Sequence, residues 1–150
     1  MSATHAWSSH TRKYLPEFCI LGFYTGMRPG EMLELEWSRV SFERKTIELR
    51  VQDTKGKSRR LVALSDGAVD SLLRLRAVAD EFFPDTPWVF THTKPRYFGS
   101  RIQSVRRVWE TAIARAGIAW ATPHSLRHTS ATEAVHAENA NVVDIMKRLG

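Results

Sequence analysis

Between Thr46 and Leu64 the chain runs TIELRVQDTKGKSRRLVAL, and this stretch decides whether an otherwise helical chain carries a sheet. In TIELRV (Thr46 to Val51), Ile47, Leu49 and Val51 fall on one side and Thr46, Glu48 and Arg50 on the other. That is the period-two alternation of a half-buried strand. RLVAL (Arg60 to Leu64) is a second short strand. The polar, glycine-bearing QDTKGKSR between them predicts a hairpin loop.

Outward from the hairpin the period changes to that of helices. Ser65 is placed to cap a helix that turns Val69, Leu72 and Leu73 inward. PDTPWVF is a loop leading into a short extended piece, and Pro95 to Gly99 is loop again. Ser100 with Gln103 makes a capping-box pattern. It predicts a helix that buries Ile102, Val105, Trp109, Ala112, Ile113 and Ala116, leaves Arg101, Arg106, Arg107 and Arg115 mostly on its other sides, and stops at Gly117. In ATPHSLRHTSAT (Ala121 to Thr132), Thr122 can cap and Pro123 fits the first helical position. NVVDIMKRLG closes the chain as an amphipathic helix through Val142, Ile145, Met146 and Leu149. Towards the N-terminus, RKYLPEFCILGFYTG is apolar nearly all round and predicts a central helix that Gly26 breaks. MRPGEMLELEW restarts the helix, with Pro29 in its first turn and Glu31 just inside it. Residues 1–11 form a polar lead-in, and residues 12–150 are expected to be one mainly helical domain with a small antiparallel sheet inserted early.

Composition narrows the function classes. The chain has 150 residues, 43% of them hydrophobic, enough for a proper core. Its longest apolar run, Phe18 to Tyr24, is far too short to cross a bilayer, so no membrane partner is expected. No signal peptide is evident in Met1 to His10, and the lone Cys19 lies inside the apolar run, a buried and reduced thiol. A cytoplasmic protein follows as the expectation. Lysines and arginines exceed acidic residues by 22 to 16, a formal charge of +6 with a pI near 9.9, and such a balance favours polyanions, nucleic acid first.

Three local features point to an anion. Arg28 precedes a proline, which disfavours helical geometry, so it sits just outside the helix Pro29 begins. Its guanidinium is then close to backbone N–H groups at a helix start, although it could simply pair with Glu31. Arg127 shares a helical face with Ala131, Ala134 and Val135, and no carboxylate lies within one turn of it. A buried arginine is nearly always paired, so its partner is distant or is a ligand. His124, one turn earlier, can hydrogen-bond an oxygen or take a proton, or serve only as a packing residue. His124 and His128 have a zinc-compatible spacing, but Ser-Leu-Arg between them supplies no glutamate base and puts a cation beside the metal, so no metal is expected. The third feature is the loop Asp53 to Ser58, whose lysines can reach a phosphate or merely decorate a solvated turn.

In order along the chain, TGMRPGEMLELEW, TKGKSRRLVAL, TPHSLRHTSAT and the closing IMKRLG resemble the catalytic domain of the tyrosine recombinases, the phage-integrase family, from about Tyr14 to Gly150. The resemblance implies a mainly α fold with a three-stranded antiparallel sheet. It matches Arg28 to the family's first catalytic arginine, Glu31 to the acid that supports it, and His124 with Arg127 to the second histidine–arginine box. Lys55 matches the hairpin lysine, with Lys57 the nearer alternative. The implied activity is site-specific DNA recombination and integration through a 3′-phosphotyrosyl intermediate, without cofactor, on double-stranded DNA, as a tetramer for a full-length protein. Lys57, Arg59, Arg101 and Arg106 are the further basic side chains expected to meet DNA.

The resemblance also implies a histidine or tryptophan directly after the closing Leu-Gly and a nucleophilic tyrosine shortly beyond it. Neither lies within the 150 residues, and Tyr14, Tyr24 and Tyr97 stand in the wrong motifs to replace it. The expectation is therefore a chain without a nucleophile of its own and without the family's core-binding domain. Two alternatives use the same residues: a catalytically silent DNA-binding relic of a recombinase, and a type IB topoisomerase.

Overall fold

In the computed structural model, which describes residues 14–50 and 59–136, the apolar stretch before Gly26 is helix α1 (Tyr14–Thr25). The lead-in, Lys55, Lys57 and the closing helix expected over residues 141–150 lie outside the described residues. Phe18, Leu21, Gly22 and Thr25 form the buried face of α1, at helical spacing. The helix is less central than its composition suggests, because Phe23 and Tyr24 are exposed at its last turn. Cys19 is a free thiol only partly buried, and burial raises its pKa. Gly26 ends α1 at a φ of 65°, with its N–H donating to the Gly22 carbonyl at 3.0 Å.

Arg28 follows in extended geometry (φ −67°, ψ 147°) and Pro29 opens helix α2 (Pro29–Leu33). The restarted helix is shorter than the apolar pattern to Trp37 predicts. Leu35 and Glu36 instead join a backbone bridge: the Val89 N–H donates to the Leu35 carbonyl at 3.0 Å, and Glu36 pairs with Trp88. After a 3₁₀ turn at Trp37–Arg39, three antiparallel strands follow, β1 (Val40–Ser41), β2 (Thr46–Leu49) and β3 (Arg60–Ala63), in the order β1-β2-β3. Ile47 opposes Val62 and Leu49 opposes Arg60. Alternation therefore carries Ile47, Leu49, Val62 and Arg60 to the buried face and leaves Leu61 outside.

Ser65 caps helix α3 (Asp66–Phe82), its hydroxyl accepting from the Ala68 N–H at 3.4 Å. Ala68, Ser71, Leu72 and Ala79 face inward, and Leu73, about 100° further round the helix, is 48% exposed, not buried as expected. The Ser100–Gln103 capping box does not form. Residues before Val105 are drawn into pairing: Thr91 bridges Arg101, and the Ile102 N–H donates to the Phe90 carbonyl. The Ser100 hydroxyl donates to the Tyr97 carbonyl, and helix α4 begins later (Arg106–Ala116). Ile102 and Val105 are buried ahead of that helix. Within it Trp109 is buried, Ala112 and Ile113 are half-buried, and Ala116 is exposed. Gly117 ends α4 at a φ of 70°.

Helix α5 (Pro123–His136) packs across α1. The crossing is close because position 22 is glycine: a Cβ there would stand 3.0 Å from both Leu126 Cδ1 and Met32 Cε. The core lies beneath this crossing, joining Phe18, Leu21, Met32 and Leu35 to Ile47, Val62, Leu72, Phe90 and Ile102.

Candidate active site

The α1–α5 crossing sets Arg127 beside the turn that ends α1. Arg127 Nη1 donates to the Gly26 carbonyl at 2.9 Å, a partner 101 residues away. The sequence predicts a distant partner or a ligand, and a distant backbone carbonyl answers the first of these. Two residues after Gly26, the Arg28 guanidinium donates through Nη1 to Glu31 Oε1 at 3.0 Å, and the Arg28 backbone N–H donates to Oε2 at 2.8 Å. Pairing with Glu31 is thus real, and it fixes Arg28 at the mouth of α2.

Glu31 is 3% exposed and takes one more partner, Arg60, whose Nη2 donates to Oε2 at 3.0 Å. Arg60 is itself 8% exposed, and its Nε and Nη1 are buried without a hydrogen-bond partner among the described residues. Burial lowers the Arg127 pKa, and the charges of Arg28 and Arg60 push it further down against the opposing pull of Glu31. Burial likewise lowers Arg60, with Glu31 opposing and Arg28 adding to the shift. Two guanidiniums thus share one carboxylate, with a third, Arg127, bonded beside them to Gly26, leaving a surplus of positive charge that an oxyanion would offset.

Arg60 is the member of this cluster that the sequence reading misses. The signal is present in RLVAL: Arg60 lies on the same face of the strand as Val62 and Leu64, both buried. A cation on that face demands a partner by the argument already applied to Arg127.

His124 lies in the first turn of α5 and is exposed. Its turn is fixed by a reciprocal pair: the Thr122 N–H donates to Ser125 Oγ at 3.0 Å, and the Ser125 N–H donates to the Thr122 carbonyl at 2.9 Å. Trp109 Nε1, donating to the Ala121 carbonyl at 3.0 Å, ties the approach to this turn to α4. Lys55 and Lys57 lie outside the described residues. The other basic candidates are held apart in their own ion pairs: Arg59 with Glu48 at 2.8 Å, Arg106 with Glu110 at 2.9 Å, and Arg101 at 3.9 Å from Glu34 and over the Trp88 ring.

Residues 2–150 match the model of the phage integrase family. The tyrosine recombinase XerC of Corynebacterium glutamicum is 28% identical over 148 residues, covering 97% of this chain and 46% of that protein. Among solved structures, the XerA recombinase superposes with a TM-score of 0.76 at 28% identity, over 100% of this chain and 55% of that one. The XerH site-specific recombinase bound to its difH substrate, in a pre-cleavage complex, superposes with a TM-score of 0.68 at 25% identity, over 100% of this chain and 41% of that one. The chain spans less than half the length of the curated relatives it matches. The match takes in the first helix and both arginine-bearing turns, and the chain belongs to the phage integrase family, the tyrosine recombinases.

Proposed function

We propose that this chain supplies the phosphate-activating part of a site-specific DNA recombinase, which cleaves and rejoins duplex DNA through a 3′-phosphotyrosyl intermediate. In this reading Arg28 and Arg127 hold the two non-bridging oxygens of the scissile phosphodiester, and Glu31 orients Arg28. A tyrosine oxygen attacks phosphorus in line. The P–O5′ bond breaks as the P–O(Tyr) bond forms, and Lys55 gives its proton to the departing 5′ oxygen. His124 hydrogen-bonds the phosphoryl group or takes a proton. Reversal by the 5′-hydroxyl of another strand conserves the bond energy, and four such protomers on DNA would complete an exchange. The attacking tyrosine is assigned to none of Tyr14, Tyr24 and Tyr97.

The observation that carries the reading is the placement of Arg127 on the Gly26 carbonyl, two residues before Arg28, where it feels the charges of Arg28 and of Arg60, both bonded to the buried Glu31. Preorganised donors of this kind favour charge as it develops, and losing one typically costs on the order of 10²–10³ in rate. The XerH relative, a site-specific recombinase bound to its substrate, agrees with DNA as the ligand. Two measurements test the proposal. Binding of this chain to a labelled duplex, followed against salt, should lose about 1 from its log–log slope in Arg28→Ala and again in Arg127→Ala. In a polypeptide continued past Gly150 through a tyrosine nucleophile, either change should abolish the SDS-resistant adduct with a library of nicked duplexes. Unchanged slopes and wild-type adduct in both variants would remove the clamp.

A further inference from the structure

Within the proposed phosphate clamp, Glu31 creates a difficulty. A buried carboxylate bonded twice to Arg28 holds that arginine in place but also neutralises it, and a phosphodiester must compete with it for the same guanidinium. We infer that Arg60 resolves this competition: it is a positioning residue that shares Glu31 and so leaves the charge of Arg28 available to phosphate. The inference rests on the clamp reading above.

The geometry is specific. Arg60 meets Oε2, the oxygen that also accepts from the Arg28 backbone N–H, and leaves Oε1 to the Arg28 side chain. Its own Nε and Nη1 are buried to solvent, so a phosphate cannot touch them and Arg60 acts through Glu31 and through its charge. That position brings no stability: a guanidinium with two nitrogens unpartnered among the described residues, less than a tenth exposed, is costly to keep at the start of a strand. Val or Ile would suit the buried face better, which argues that the cation has a task beyond packing. The lowered pKa values of Arg60 and Arg127 agree with one shared field across the cluster.

The test uses this chain and a short fluorescein-labelled duplex, with binding followed across a salt series and folding checked by thermal unfolding of every variant. Arg60→Met should lower the salt slope by about 1, as Arg28→Ala does, because Glu31 then holds Arg28 alone. Adding Glu31→Gln to Arg60→Met should restore the wild-type slope, since the competing charge is gone while the one amide oxygen of glutamine still accepts one of the two bonds from Arg28. Arg60→Lys, which keeps the cation, should retain the slope. A double variant that stays as weak as Arg60→Met overturns the inference, as does a folded Arg60→Met with the wild-type slope. If Arg60→Met fails to fold, a loss of about 1 in folded Arg60→Lys overturns it equally. An unchanged slope in Arg28→Ala would instead sink the clamp itself, and this inference with it.

Discussion

Gly26 stands at the joint of the site, since its left-handed φ of 65° turns the chain out of α1 and its carbonyl receives Arg127. Alanine there must adopt a conformation in which Cβ crowds the following carbonyl, at about 1–2 kcal/mol. Gly26→Ala should therefore lower the urea midpoint by that equivalent with an unchanged m-value, and an unchanged midpoint would show that the turn relaxes without strain. Asparagine, more tolerant of this region, should cost less. At this scale Arg28 was legible because the next residue is proline, and Arg127 because no acid lies near it in sequence. Arg60 was not: RLVAL reads as a strand from Arg60 onward, but a strand of five residues opening on an arginine doublet does not by itself say which of its faces is buried. His124 falls in the first turn of α5, as the Thr122–Pro123 start predicts, and is exposed there.

Helices α1 and α3 are joined across their faces by one acid. Glu17 accepts from Ser71 Oγ at 2.7 Å and from Arg74 at 2.8 and 3.0 Å. Burial works to raise its pKa, but the bonds from Arg74 and Ser71 prevail and hold it below the ordinary 4.5. The folded state therefore favours the carboxylate. This contribution is present in full above the unfolded pKa and is lost as pH falls from 4.5 through the lowered folded value. Glu17→Gln should destabilise the protein by about 1 kcal/mol at neutral pH. Its deficit against wild type, measured by denaturant unfolding at a series of pH values, should vanish in acid; a deficit constant with pH would assign the loss to packing. Strand and helix periods were readable at this scale wherever one element buries one face. They failed at Ser100, where a capping pattern is overridden because residues 100–102 pair with residues 90–92, and at β1, whose two residues are too few to alternate.

Over the whole molecule, the cluster's arginines come from three places in the chain: the start of α2, the first residue of β3, and the first half of α5. They meet only because those elements share one core, and no local pattern in the sequence states that meeting; the family motifs bring Arg28 and Arg127 together in expectation but not Arg60. Phe18 tests the consequence. It is 0% exposed, sits edge-on to Phe90 with ring centroids 5.5 Å apart, and links α1 to the segment that bridges Leu35 and Ile102. Phe18→Ala should cost about 3–5 kcal/mol, a large share of the 5–15 kcal/mol typical of a domain. If helices and sheet are one cooperative unit, far-UV circular dichroism and tryptophan emission must report a single transition, displaced together in the variant. Phe18→Leu, which leaves a smaller void, should move both probes in the same direction by less. Two separated transitions in either variant would mean that the sheet holding Arg60 folds apart from the helices holding Arg28 and Arg127, and the cluster would then be a docking of independent units, not a product of the shared core.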